Sequence, residues 1–164
     1  MRQAKGRPAG AENGVPPKAG PRVRVMLVRE TGPAYAEPVL EQITSSSQVW
    51  RLLRDEAESW DREKFLTVML DGKGHVLGIE EVSVGTLTAS LVHPRELLKG
   101  LILANAASFI CVHNHPSGDP TPSPEDSTLT SRLRSAAEVV GIRLTDHVII
   151  GRGRYHSMCD AGQL

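Results

Sequence analysis

The side chains with the most chemistry in this chain are His113-Asn114-His115 and, after seven intervening residues, Ser123-Pro124-Glu125-Asp126. The two histidines stand at i and i+2, where the apolar run Phe109-Ile110-Cys111-Val112 ends. Alternation along a strand puts both imidazoles on one side, so they can share one metal ion. The intervening Pro116-Ser117-Gly118-Asp119-Pro120-Thr121-Pro122 is dense in breakers and turns the chain back. A helix opening at Pro124 would then carry Asp126 in its first turn, beneath the two rings. Two imidazole nitrogens and one carboxylate oxygen are typical zinc ligands, and three protein ligands leave a fourth position for water. The expected metal ligands are His113, His115 and Asp126, the expected cofactor is Zn2+, and the expected chemistry is hydrolysis.

A plainer reading accounts for some of the same residues. Ser123 at an N-cap, Pro124 at the first helical position and an acid three residues on make a good helix start, and both polar side chains could serve only as caps. Histidines near strand ends are commonly solvent-facing or hydrogen-bonded. Capping, however, does not explain two same-face histidines delivered by a buried strand into a loop that folds back on them. Elsewhere, His75, His93 and His156 show no metal spacing with one another. His147, after Asp146, reads as a structural hydrogen-bonding group before a ligand-supporting one. Cys111 reads as a small core side chain, and Cys159 has nothing nearby to activate it.

The elements that must position these groups follow from periodicity. Val23 to Val28 alternates as a strand would, and Gly32-Pro33 breaks it. After Ser45 to Ser47, the residues Val49, Leu52, Leu53, Ala57 and Trp60 recur at helical spacing. Phe65 to Leu70 reads as a buried strand, Asp71-Gly72-Lys73-Gly74 as a tight turn and His75 to Val84 as the return strand. Leu97, Leu98, Leu101 and Ile102 define a helix opening at Pro94. Ser108 to His113 is a third strand, and a helix from Pro124 closes at Gly141. Leu144 to Ile150 and Tyr155 to Met158 form a last hairpin. Strands interleaved with helices predict an α/β fold, a mixed β-sheet sandwiched by helices. Residues 1–21 are expected as a disordered tail, 22–60 as a strand-helix extension and 61–164 as the main domain.

Composition narrows the function. The 164 residues carry 19 basic and 19 acidic side chains, a balance that argues against binding nucleic acid by bulk electrostatics. Two cysteines outside any CxxC pair provide neither a disulfide framework nor a thiolate zinc finger. No run approaches the ~18 apolar residues of a membrane span, and the first 20 residues lack a signal-like apolar stretch, so the expected address is cytoplasmic.

The pattern H-x-H, seven residues, S-x-x-D resembles the JAMM motif of MPN (JAB) domain metalloproteases, a cytidine-deaminase-like fold. Gly85-Thr86-Leu87, Ser90, Val92-His93-Pro94-Arg95-Glu96, the His113 to Gly118 segment and Asp146-His147-Val148-Ile149-Ile150-Gly151 resemble, more narrowly, the RadC family. The resemblance runs from about Ser47 to the C-terminus. Longer RadC proteins begin with a helix-hairpin-helix region, which the first forty residues here do not resemble, so a short form is expected. The resemblance implies two His and one Asp on zinc, a Ser near the reacting carbonyl and a glutamate at the head of the first core strand that activates water. Ser123 and Glu63 match the last two positions. Glu96 is the runner-up for the base, although the helix dipole explains an acid in that first turn.

Four functions compete. The first is a metallopeptidase-like amide hydrolase acting on a peptide or protein. The second is a DNA-repair-associated role, although His113-Asn114-His115 does not have the dispersed arrangement of HNH nucleases. A nucleobase deaminase would need H-x-E and P-C-x-x-C, neither of which occurs. A non-catalytic interaction domain would not need the full set of His113, His115, Ser123 and Asp126.

Overall fold

A computed structural model describes residues 26–28, 30, 42–85 and 92–164. The described elements run α1 (Ser46–Ala57), β1 (Lys64–Leu70), β2 (Val76–Val84), α2 (Pro94–Leu103), β3 (Ser108–Asn114), α3 (Pro124–Val139), β4 (Arg143–Ile150) and β5 (Tyr155–Ser157). The strands form one sheet in the order β2-β1-β3-β4-β5. Only β3 and β4 are parallel, and α3 supplies the crossover that a parallel pair requires. The expected mixed α/β sheet is therefore present.

Strand alternation divides the core in two. Leu66, Val68 and Leu70 of β1 join Ile110 and Val112 of β3 and Val148 and Ile150 of β4 beneath Val49, Leu53 and Ala57 of α1. Phe65, Met69, Phe109, Cys111 and Leu144 face the other way, against Leu97 and Leu101 of α2 and Leu133 and Ala137 of α3. Covering both faces explains why β1 and β3 read as nearly unbroken apolar runs. The edge strand β2 is only half-buried.

The N-terminal reading needs two changes. Residues 26–28 belong to no strand and are exposed, Val28 at 79%; the alternation there has no partner strand among the described residues. Residues 1–25, including the expected tail, and Gly32-Pro33 lie outside the described residues. The helix of the serine-led segment ends at Ala57, so Trp60 is not on it, and Leu52 is 39% exposed. Of the Gly85-Thr86-Leu87 and Ser90 positions, only Gly85 is described.

Candidate metal centre

The two core strands end together. Register pairs Phe65 of β1 with His113 of β3 and His113 with Ile149 of β4, so His113 emerges at the centre of one sheet end. Its ring stacks on Phe65, with centroids 6.0 Å apart, and its side chain is 1% exposed. His115 points the same way two residues on, at 18% exposure. The loop after it is tied to β4: His115 N–H donates to the Ile150 carbonyl at 2.9 Å and Arg152 N–H to the Gly118 carbonyl at 3.0 Å. Gly151 permits that approach, because a Cβ there would lie 2.5 Å from the Gly118 carbonyl oxygen.

Asp126 arrives on the first turn of α3, which Ser123 caps. The rival readings of this residue turn out to be compatible, because the capping bonds to Ser123 fall on Oδ2 and leave Oδ1 free to face His113. Oδ2 accepts from Ser123 N–H and Ser123 Oγ–H, both at 2.7 Å, completing the capping box. Oδ1 faces the His113 ring, 3.2 Å from Nε2. His115 Nε2 lies 3.0 Å from His113 Nε2 and 3.5 Å from Asp126 Oδ2. One ligand atom from each of His113, His115 and Asp126 lies within 4.8 Å of the others, so the three residues could hold a metal ion.

The donor set fits a cation. His115 Nδ1 sits 2.7 Å from the Asp119 carbonyl, which can only accept, so a neutral His115 ring turns its Nε2 lone pair toward Asp126. A lone pair beside a carboxylate calls for a proton or a metal between them. Accordingly, hydrogen bonding to Asp126 raises the His115 pKa against the opposing effect of burial, with smaller upward contributions from the Asp119 carbonyl, the Asp126 charge and the Glu63 charge. Burial would raise the Asp126 carboxyl, but hydrogen bonds to His113, His115 and Ser123 outweigh it and hold the group well below the carboxylate range.

Glu63 lies just before β1, half-buried and near enough for its charge to act on His115. Its backbone is held on both sides, since the Glu63 carbonyl accepts from Gly85 N–H at 2.8 Å and Asn114 spans the neighbouring residues. Asn114 Oδ1 accepts from Lys64 N–H at 2.8 Å and its Nδ2 donates to the Arg62 carbonyl at 3.2 Å. Sequence reasoning missed Asn114. The signal was its position between two same-face histidines, which sends its side chain to the opposite face, toward the turn that carries Glu63.

Other residues fall away from the site. Glu96 pairs with Arg95 and Lys99 on the exposed face of α2, and His93 caps that helix. His75 pairs with Asp71, and His156 bonds Gln163. Cys111 is fully buried, which pushes its thiol pKa up and suits a core role; Cys159 is exposed. Asp146 is a buried clamp, accepting from Ser157 Oγ–H and from the N–H groups of His147 and Cys159. His147 is the departure of consequence, for it contacts His113 directly, Nε2 to Nδ1 at 2.8 Å, and is 0% exposed. Beside His115 opens a cavity of about 70 Å³, whose walls include Trp60, Asn114, Gly151 and Arg152.

A mixed sheet between helices, with an H-x-H strand end facing the first turn of the crossover helix, defines a JAB-type domain. A profile of the RadC-like JAB domain matches residues 43–163, and the chain belongs to the RadC family. A UPF0758 protein of Geotalea uraniireducens is 46% identical over 125 residues, covering 76% of this chain and 55% of that relative. One from Moorella thermoacetica is 53% identical over 116 residues (71% and 51%), and one from Methanosarcina mazei is 44% identical over 128 (78% and 56%). The chain thus spans about half the length of the curated relatives it matches. Among the described residues, no helix is long and apolar enough to cross a membrane.

Proposed function

We propose that this chain is a zinc-dependent hydrolase of peptide-type amides, with zinc held by His113, His115 and Asp126. The observation that carries this reading is the convergence of two imidazole Nε2 atoms and a carboxylate oxygen at a partly covered strand end, with each ring's Nδ1 already engaged by a neighbour. A zinc ion there supplies Lewis acidity, making water acidic near neutral pH and polarising a carbonyl oxygen.

The chain's own groups then divide the proton and charge transfers. Glu63 takes the proton of the attacking water and passes it to the departing amine, so that the carboxylate ends as it began. Its side-chain oxygens make no hydrogen bond or ion pair among the described residues, which leaves them available for that task. Ser123 Oγ–H, which donates to Asp126 Oδ2 in this structure, turns to the oxyanion as charge develops there. The cavity beside His115 receives the substrate residue flanking the scissile bond. A peptide or protein is the proposed partner, and a cytoplasmic location agrees with the free thiols Cys111 and Cys159.

Elemental analysis after dialysis against a weak chelator, on the wild type beside the His113→Ala/His115→Ala double variant, is the test. One zinc per wild-type chain and none in the variant, with chelator-sensitive cleavage of an amide library, is the expected result. A folded wild type without metal would overturn the proposal.

A further inference from the structure

Behind His113 runs a buried chain of polar contacts that returns to the third ligand residue. His113 Nδ1 lies 2.8 Å from His147 Nε2, His147 Nδ1 lies 2.6 Å from Thr130 Oγ1, and Thr130 Oγ1 lies 2.6 Å from the Asp126 carbonyl oxygen. His147 and Thr130 are 0% and 3% exposed, so water does not substitute for these partners. Thr130 follows Asp126 by four residues on α3, one helical turn on, which is why its hydroxyl reaches that carbonyl.

The direction of every bond in this chain follows from its far end. The Asp126 carbonyl can only accept, so it takes the single hydroxyl hydrogen of Thr130; the Met158 sulfur, at 3.4 Å, is the weaker competitor. Thr130 Oγ1 must then accept from His147 Nδ1–H. A neutral imidazole has one donor and one acceptor, so His147 Nε2 accepts from His113 Nδ1–H. The lone pair of His113 is thereby left on Nε2, the atom 3.2 Å from Asp126 Oδ1.

We propose that His147 and Thr130 are positioning residues that lock His113 in its Nδ1–H tautomer and couple its ring to the helix turn bearing Asp126. The proposal rests on the metal-centre reading above for its purpose, but not for its hydrogen bonds. His115 is served by one backbone carbonyl from its own loop, whereas His113, whose ring meets no backbone carbonyl among the described residues, is served by a relay of two side chains. The relay joins β3, β4 and α3, so the two most buried ligands cannot move independently. An outer partner of this type typically changes metal affinity by roughly 10–100-fold.

Thr130→Val keeps the shape and removes the hydroxyl, and Thr130→Ser restores it. Two measurements decide the matter: the His113 ring tautomer of the metal-free chain, from nitrogen-15 NMR at mildly alkaline pH, and zinc affinity by competition with a chromogenic chelator. The expected results are Nδ1–H at His113 in the wild type and in Thr130→Ser, and a mixture with Nε2–H in Thr130→Val. Zinc affinity should fall roughly 10-fold or more in Thr130→Val and recover in Thr130→Ser. An Nε2–H ring in the wild type, or a folded Thr130→Val with unchanged tautomer and affinity, would overturn the proposal. Should the wild type bind no zinc, the hydrolase reading falls, and the tautomer measurement alone upholds or overturns this one.

Discussion

Strand β1 has an aspartate and a histidine near each end, and the two pairings behave oppositely. At the hairpin end, Asp71 Oδ1 accepts from the N–H groups of Lys73 and His75, each at 2.8 Å, while Oδ2 accepts from His75 Nδ1 at 3.0 Å. Every partner there is a donor, and the side chains are 35% and 32% exposed. At the other end, Asp126 and His113 are 11% and 1% exposed, and His115 has spent its Nδ1–H on the Asp119 carbonyl. A carboxylate among donors makes a turn. A carboxylate among imidazoles whose donors are spent, with water largely excluded, makes a place for a cation.

Neutralising each aspartate sharpens this contrast most. Asp126→Asn preserves an oxygen for the Ser123 cap yet removes the charge, and the zinc content of the purified chain should drop from one equivalent to none. Asp71→Asn should leave it at one, and equal loss in both would erase the distinction. Glu63→Gln should separate metal capture from turnover: cleavage of a proven amide substrate slows by roughly 10²–10⁴-fold while zinc stays bound. Retained turnover would remove Glu63 from the reaction.

Asn114→Ala probes the scaffold between those roles. Losing the bonds to Lys64 N–H and the Arg62 carbonyl should cost about 1–3 kcal/mol in denaturant unfolding and lower kcat, with zinc content unchanged. An unaltered kcat would show that Glu63 needs no such anchor.

The smallest effect belongs to the hairpin. The backbone N–H of His75, and then its ring, hold the Asp71 carboxyl down to about 2, below its ordinary value. A depressed folded pKa contributes stability above the unfolded pKa, and that contribution is lost as pH falls through the folded value. The wild type should therefore melt slightly higher than Asp71→Asn at neutral pH, the gap closing between about pH 4 and pH 2. A gap independent of pH would assign the difference to turn geometry instead of charge.

What the sequence determined by itself was whatever depends on local spacing. The strand periods of 65–70 and 108–113, the Pro94 and Pro124 helix starts and the shared face of His113 and His115 are consequences of backbone geometry within a few residues. The Ser123 to Asp126 cap was legible for the same reason, although its compatibility with a ligand role was not, because the two carboxylate oxygens part company only once α3 lies against β3. Tertiary structure alone decided the rest. His147 is 34 residues from His113 and Asn114 is 50 from Lys64, so only the β3·β4 and β1·β3 pairings bring them into bonding distance. The strand expected at residues 23–28 shows the converse: alternation licenses a strand, but residues 26–28 form none, and no neighbour among the described residues takes their backbone hydrogen bonds. Spacing along the chain sets which face a side chain takes, while the charge and protonation of a site depend on groups that folding gathers from far apart.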